Sequence, residues 1–484
     1  MSDAFDAVHP ALRAALERKG FNALTTVQQA VLEADATAHN LRISSQTGSG
    51  KTVALGLALA DDLISAVEAR TPGPVVVVVA PTRELAAQVE GELAWLFADV
   101  RGFDTTVVTG GTDLVRERRL LSRRAPLLVA TPGRLLDHVR NGAVDLARVR
   151  HVVLDEADQM LDMGFRDDLD ALVDALPEER RSHLVSATFP EQVARFADRF
   201  QPGAVHVQGT VLGQANQDIT HVAHVVHISD RYPALVNCML AMDEARCLVF
   251  VARRVDAADL AEALAEDGFS ALPFSGDMSQ PQRTRTLNAF RNGIVKTLVA
   301  TDVAARGIDV ADIRTVIHFD LPIDADTYTH RSGRTGRAGQ TGRSILIVPT
   351  HKERRVRWLL GGARVEADWC RVPSAKKIEK ANNKRTRRAL HALLEAAPEL
   401  DEGERAYATE LLERHDPNTL VAVLMRMAQH DLPRAPMNVR TYEPRTDVRH
   451  DKDDARKHPP GRRPVGRRPA GRQRRHQGGA HGRR

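Results

Sequence analysis

Gly48-Ser49-Gly50-Lys51-Thr52 follows the strand-like run 41–44, and much further on Asp155-Glu156-Ala157-Asp158 follows the apolar run Val152-Val153-Leu154. The first pattern is a phosphate loop. Its glycines let backbone N–H groups wrap phosphates, Lys51 reaches the β- and γ-phosphates, and the Thr52 hydroxyl is placed to ligate Mg²⁺. In the second pattern the carboxylate of Asp155, at a strand end, holds the same ion from the other side, and Glu156 handles the attacking water. Together they are the two halves of a Mg-nucleotide triphosphatase site, although Ser45 stands where the general phosphate-loop pattern has Gly.

The surrounding chain alternates strands and helices. Strand-like runs at 41–44, 75–80, 105–108, 127–130, 152–154 and 183–186 are separated by amphipathic stretches, which predicts a parallel α/β sheet covered on both faces. After a polar connector at 209–218 a second series follows, at 220–226, 247–251, 298–300, 316–319 and 344–348, without a phosphate loop. Two α/β domains with one phosphate loop imply a site completed across a cleft. The completing residues stand in His330-Arg331-Ser332-Gly333-Arg334-Thr335-Gly336-Arg337, where Arg334 and Arg337 are spaced to reach one γ-phosphate as arginine fingers.

At 484 residues the chain is too long for a single core, and aromatics at 4% mean that its cores are aliphatic. No apolar stretch approaches the length of a membrane span, and Asp3 and Asp6 stand where a leader would be basic. The three cysteines form no CxxC pair, as expected of free thiols in a reducing cytoplasm. The net charge of +5 conceals an asymmetry: residues 455–484 hold eleven Lys and Arg and no acid, so subtracting them leaves −6 on the preceding residues. That Arg/Gly/Pro-rich end is expected to be disordered and to bind polyanions.

These residues, in this order, resemble the DEAD-box RNA helicases from about Phe5 to about Pro349. Phe5, Gly20-Phe21, Thr25-Thr26 and Gln28 resemble the family's adenine-selecting segment. Its phosphate loop is matched by Ser45-Gln46-Thr47-Gly48-Ser49-Gly50-Lys51-Thr52, with Ser45 in place of the usual Ala. Pro81-Thr82-Arg83, Gly110-Gly111 and Thr131-Pro132-Gly133-Arg134 resemble the first-domain RNA-contacting segments. Ser186-Ala187-Thr188 resembles the segment that couples hydrolysis to strand separation, while Phe250, Gln280 with Arg283, Thr301 to Asp309 and His330 to Arg337 fit the second-domain motifs. Pro81-Thr82-Arg83 and Thr131-Pro132-Gly133-Arg134 supply hydroxyls, backbone N–H groups and guanidinia and nothing that reads a base edge, so backbone and 2′-hydroxyl contacts with little sequence selectivity are expected.

The resemblance implies two tandem RecA-like parallel-sheet domains at 1–208 and 219–372, joined by a linker at 209–218. A helical region at 373–433 and the basic tail at 434–484 follow. The implied activity is an ATP- and Mg²⁺-dependent, RNA-stimulated ATPase that locally separates short RNA duplexes, in RNA remodelling such as ribosome assembly or RNA turnover. Lys51, Glu156, Arg334 and Arg337 would be catalytic, Thr52 and Asp155 would hold the metal, and Asp309 would meet the ribose. Ser186, Thr188, Thr301 and His330 would couple nucleotide to RNA. The helical region resembles the dimerisation region of bacterial cold-shock relatives. A homodimer contact and packing against the second domain are both open, as are an ATP-gated RNA clamp and a DNA translocase with the same core.

Overall fold

A computed structural model of the chain describes residues 5, 7–44, 50–208, 218–242, 246–305, 310, 313–336, 340–396, 401–427 and 433–442. Seven parallel strands form the first lobe: β1 (Leu41–Ser44), β2 (Val76–Val79), β3 (Thr105–Val108), β4 (Leu127–Ala130), β5 (His151–Asp155), β6 (Arg181–Ser186) and β7 (Val205–Gln208). Their order is β3-β4-β2-β5-β6-β1-β7. The second lobe contains β8 (Ile219–Val226), β9 (Arg246–Phe250), β10 (Ala271–Phe274), β11 (Thr297–Ala300), β12 (Ile313–His318), β13 (Gly342–Pro349) and β14 (Asp368–Trp369), in the order β10-β11-β9-β12-β13-β8-β14. Counted from its own first strand, the second sheet repeats the first position by position. This is the doubled RecA-like architecture the sequence implies.

Both lobes explain why their central strands read as unbroken apolar runs. In β2, Val76 and Val78 enter the core on one face while Val77 and Val79 enter the core on the other. In β9, Val249 and the pair Leu248 and Phe250 divide in the same way. Parallel strands covered by helices on both sides have no solvent face to mark with polar residues.

Three strands escape the sequence pattern, and all three are at sheet edges. Three of the four β7 residues are exposed, β14 is two residues long, and β10 contains Pro273. Edge positions tolerate missing donors and half-exposed side chains, which removes the periodicity that reveals a strand.

The helical region divides. The helix Ala375–Glu395 lies against the helix Arg231–Ala241 of the second lobe, with Ile378 fully buried in the lobe's core and Arg385 Nη2 donating to Leu240 O at 2.7 Å. Packing against the second lobe therefore accounts for this helix. The helices Glu402–Arg414 and Pro417–Met427 bury no residue and leave Tyr407, Leu412, Leu424 and Met427 exposed. Residues 434–442, which the composition assigns to the tail, are instead fastened to the second lobe. Asn237 exchanges two hydrogen bonds of 2.8 Å with the Met437 backbone, Arg434 pairs with Asp267, and Arg440 N donates to Asp230 at 3.1 Å. Met437, Val439 and Tyr442 supply apolar contacts that a reading of charge alone overlooks. Residues 443–484 lie outside the described residues. Among those described, no helix is long and apolar enough to cross a membrane.

Candidate active site and RNA groove

The motif residues gather at the carboxyl ends of the strands, where open α/β sheets place their ligands. Adjacent β1 and β6 align Ser44 with Ser186, while β5 aligns Asp155 with Val185. This register brings the ends of β1 and β5 to the same edge of the sheet, with β6 between them. Ser45, Gln46, Thr47, Gly48 and Ser49 lie outside the described residues, as do Asp309 and Arg337.

Gly50 ends the loop in the left-handed region at φ 85° and caps the helix Lys51–Ala58. A Cβ there would sit 2.8 Å from Gln28 Nε2, so close approach as well as φ requires glycine. Gln28 is fully buried, accepts from Thr25 N at 2.8 Å through Oε1 and directs Nε2 at Gly50 O, 3.5 Å away. The Gln28 segment is thereby tied to Gly50 at the end of the phosphate loop. Phe5 is buried in the first-lobe core, and half-buried Phe21 stacks on Trp95 at 6.1 Å.

Lys51, Asp155, Glu156 and Asp158 are all buried. Asp155 is pushed up to about 6, chiefly by burial, with Lys51 opposing and Glu156 reinforcing the shift. Asp155 Oδ1 and Glu156 Oε2 are buried acceptors without a hydrogen-bond partner among the described residues. Such orphaned carboxylate oxygens beside a phosphate loop fit a hydrated cation and an attacking water. Glu156 also holds φ 54°, a left-handed conformation that costs a non-glycine residue roughly 1–3 kcal/mol.

Asp158 carries the site across to the second lobe. Its Oδ2 accepts from Thr188 N at 3.0 Å and Thr188 Oγ1 at 2.8 Å, and lies 3.5 Å from His330 Nε2. That last contact is an ion-pair distance without hydrogen-bond geometry, since His330 Nε2 has no hydrogen-bond partner among the described residues. Burial alone would raise the Asp158 carboxyl, but His330, the Thr188 hydroxyl and Lys51 outweigh it and hold the group at about 2. Ser186 Oγ donates to Thr188 O at 2.7 Å, which fixes the turn after β6. In the second lobe, buried Arg334 donates from Nε to His330 O at 3.2 Å. Arg331 grips both oxygens of Asp302 at 2.5 and 2.7 Å, anchoring the segment that bears His330.

A cavity of about 430 Å³ lies between the lobes, lined by Pro81, Thr82, Arg83, Gly110, Thr131, Gly133 and Arg134 on one side and by Gln280 and Arg283 on the other. Two pairs cross it. Arg83 Nη1 donates to Gln280 Oε1 at 3.0 Å, and Arg283 Nε donates to Glu84 Oε1 at 2.8 Å. Arg283 also donates to Ser275 O and Ala304 O and lies over the Phe274 ring, so this guanidinium positions the groove wall. Gly111, at φ 77°, clears a path for Arg83, whose Nη1 would be 2.4 Å from a Cβ there. Thr52 is half-buried beside Lys51 and Thr301 is buried at the end of β11; Pro132 opens the helix Pro132–Arg140 directly after Thr131.

Glu117 belongs to none of the sequence motifs. This buried carboxylate accepts from Thr109 N at 2.9 Å, from Thr112 Oγ1, from Arg134 Nη1 at 2.6 Å and from His138 Nε2 at 2.8 Å. It joins the Gly110-Gly111 loop to the Thr131–Arg134 loop. Burial opposes its ionisation, but these donors hold the carboxyl below its ordinary value. The available signal was a lone acid in the helix Leu114–Leu121, among arginines.

Comparison with known proteins agrees with this geometry. The DEAD/DEAH box helicase family model matches residues 25–196, and that of the helicase conserved C-terminal domain matches 230–339. The chain is 35% identical over 444 residues to the DEAD-box ATP-dependent RNA helicase CshA of Geobacillus kaustophilus, covering 90% of this chain and 92% of that one. The structure of Dbp5 from S. cerevisiae bound to RNA and ADP BeF3 superposes with a TM-score of 0.71 at 27% identity, covering 78% of this chain and 98% of that one. A variant of that protein bound to Nup159, Gle1, IP6 and ADP gives 0.55 at 26% identity, over 78% and 99% of the two chains. The chain belongs to the DEAD-box ATP-dependent RNA helicases.

Proposed function

We propose that the protein closes its two lobes on ATP and single-stranded RNA, separating short duplexes locally, and reopens on hydrolysis. The carrying observation is that Asp158 meets both Thr188 of its own lobe and His330 of the other, while Arg83–Gln280 and Glu84–Arg283 cross the groove. Nucleotide and RNA sites share one set of inter-lobe contacts, so each ligand favours the same closed state. The greater likeness to the RNA-bound form of Dbp5 than to its Gle1-bound form supports reading this arrangement as closed.

Lys51 and the phosphate loop hold the β- and γ-phosphates, Gln28 selects adenine, and Glu156 orients the water for in-line attack. Asp309 meets the ribose. Arg334 and Arg337 stabilise the charge that develops on the transferring phosphoryl group. The orphaned Asp155 oxygen and the Thr52 hydroxyl fit Mg²⁺, which when bound neutralises phosphate charge. Pro81, Thr82, Arg83, Gly110, Gly111, Thr131, Gly133 and Arg134 grip the RNA backbone, joined by Gln280 and Thr301 from the second lobe. This machinery suits a cytoplasmic protein of RNA remodelling, such as ribosome assembly or RNA turnover. The exposed apolar residues of 402–427 make self-association a further proposal, which sedimentation of the full chain tests.

The direct test compares ATP turnover with no nucleic acid, with RNA and with DNA, and then follows displacement of a short RNA duplex. RNA-specific stimulation with ATP-dependent displacement is expected. Stimulation by DNA alone would overturn the substrate reading, and RNA-stimulated turnover without displacement would mark a clamp.

A further inference from the structure

The helix Leu114–Leu121 begins where the Gly110-Gly111 loop leaves the RNA groove. Residues 114–124 contain five arginines and one acid, Glu117. Glu117 is buried and already engaged by Arg134 and His138, so it does not serve as counter-charge for the helix surface. Glu117 and Leu121, four apart, form the buried stripe. On the opposite side of the helix stand Arg116 and Arg119, three apart, and Arg123 follows in the turn just past the helix end. All three are exposed, as are Arg118 and Arg124.

Among the described residues, none of these five guanidinia has an ion pair or a side-chain hydrogen bond. Elsewhere in the same lobe several surface arginines are matched, Arg18 with Asp99, Arg42 with Asp198, Arg150 with Asp62 and Arg199 with Asp170, whereas here the unmatched ones are adjacent in the chain. Like charges three and four residues apart repel along a helix. Five unmatched guanidinia gathered in one short stretch beside the groove, in a chain whose first 454 residues are net acidic, form an anion-binding face. Glu117 rigidly couples that face to the groove through Arg134, one of the groove-lining residues.

We propose that Arg116, Arg119 and Arg123 form a secondary RNA-docking face that holds the phosphates of the single strand continuing out of the groove. This rests on the RNA-groove reading above and extends it from the gripped segment to its flank. Arg116 and Arg119 are about 4.5 Å apart along the helix axis at 1.5 Å per residue, and Arg123 carries the row past the helix end, so the three can follow a backbone. Exposed Leu114 and Val115, in the first turn, supply apolar surface for riboses or bases between the groove and the row. Because these contacts are to phosphate, they add affinity without sequence preference. The row tethers substrate while the groove acts.

The test uses the full chain and a triple variant, Arg116→Gln with Arg119→Gln and Arg123→Gln, in the presence of a non-hydrolysable ATP analogue. Affinity is measured for the shortest single strand that still stimulates turnover and for that strand extended with uridines at its 5′ or its 3′ end. On the native chain one extension should tighten binding. The variant should lose that gain, and its salt slope on the extended strand should fall by about 2, at about 0.7 per phosphate contact. On the order of 10- to 100-fold in affinity is lost at 0.1 M salt, fading toward 1 M. Affinity for the short strand and ATP turnover at saturating RNA should stay unchanged, and Arg→Lys at the three positions should restore most of the gain. Equal slopes and affinities for native chain and variant on every extended strand would overturn the proposal. So would an equal loss on the short strand, or a gain seen only when the extension is duplex. Failure of the native chain to bind the short strand would instead refute the RNA-groove reading itself.

Discussion

Replacing Glu84 by Gln tests whether lobe closure is a electrostatic event at the groove. The Arg283 Nε to Glu84 Oε1 bond is 2.8 Å long, and both side chains are 10% exposed. At that separation the Coulomb attraction is about 6 kcal/mol for an effective dielectric constant of 20. Desolvation of both charges opposes most of it, and hydrogen bonds to charged groups retain about 1.5–3 kcal/mol net. Taking about 2 kcal/mol, Glu84→Gln should weaken closure roughly 30-fold. Arg283 keeps its bonds to Ser275 O and Ala304 O, so the second lobe should remain folded. The assay is ATP turnover as a function of RNA concentration. The half-saturating RNA concentration should rise by about that factor, with kcat at saturating RNA nearly preserved. Arg283→Gln alone and the double variant complete a thermodynamic cycle in which the two losses should be strongly non-additive. Additive losses would show that the pair does not act together in the active state, and a silent Glu84→Gln would remove the contact from the closing step.

Three further outcomes are expected. Glu156→Gln should retain ATP and RNA binding, measured by titration, while turnover falls roughly 10²- to 10⁴-fold; an equal loss of ATP affinity would contradict its role on water. His330→Ala leaves burial of Asp158 less opposed, so its carboxyl should rise. In the native protein the depressed group stays ionised until pH falls through about 2, so the Asp158 carboxyl, followed by NMR titration, should protonate at higher pH in the variant. An unmoved Asp158 titration would separate His330 from Asp158. Ending the chain at Asp454 removes eleven cations and should make RNA affinity weaker and its salt slope shallower, with turnover at saturating RNA unchanged. Identical slopes would leave the tail a solubility element.

The sequence by itself determined the parts whose signal is local. Valine-rich central strands such as β2 carry their burial in adjacent residues, and the phosphate loop and acidic tetrapeptide carry their chemistry within a few positions, so both lobes and most motif residues were legible. Tertiary structure decided whatever depends on which distant segments meet. Edge strands β7, β10 and β14 have no burial pattern of their own and exist only because a neighbour offers a free ladder. Arg83 and Gln280 are 197 residues apart and become partners only once two separately wound sheets face each other. Glu117, an ordinary helix acid in the sequence, becomes the joint of the Gly110-Gly111 and Thr131–Arg134 segments because β3 and β4 pair in register, bringing Thr109 and Thr131 together. The helix Ala375–Glu395 and residues 433–442 return to the second lobe for the same reason. Amphipathic periodicity states that a face must be covered, and only the surfaces of the assembled fold determine what covers it.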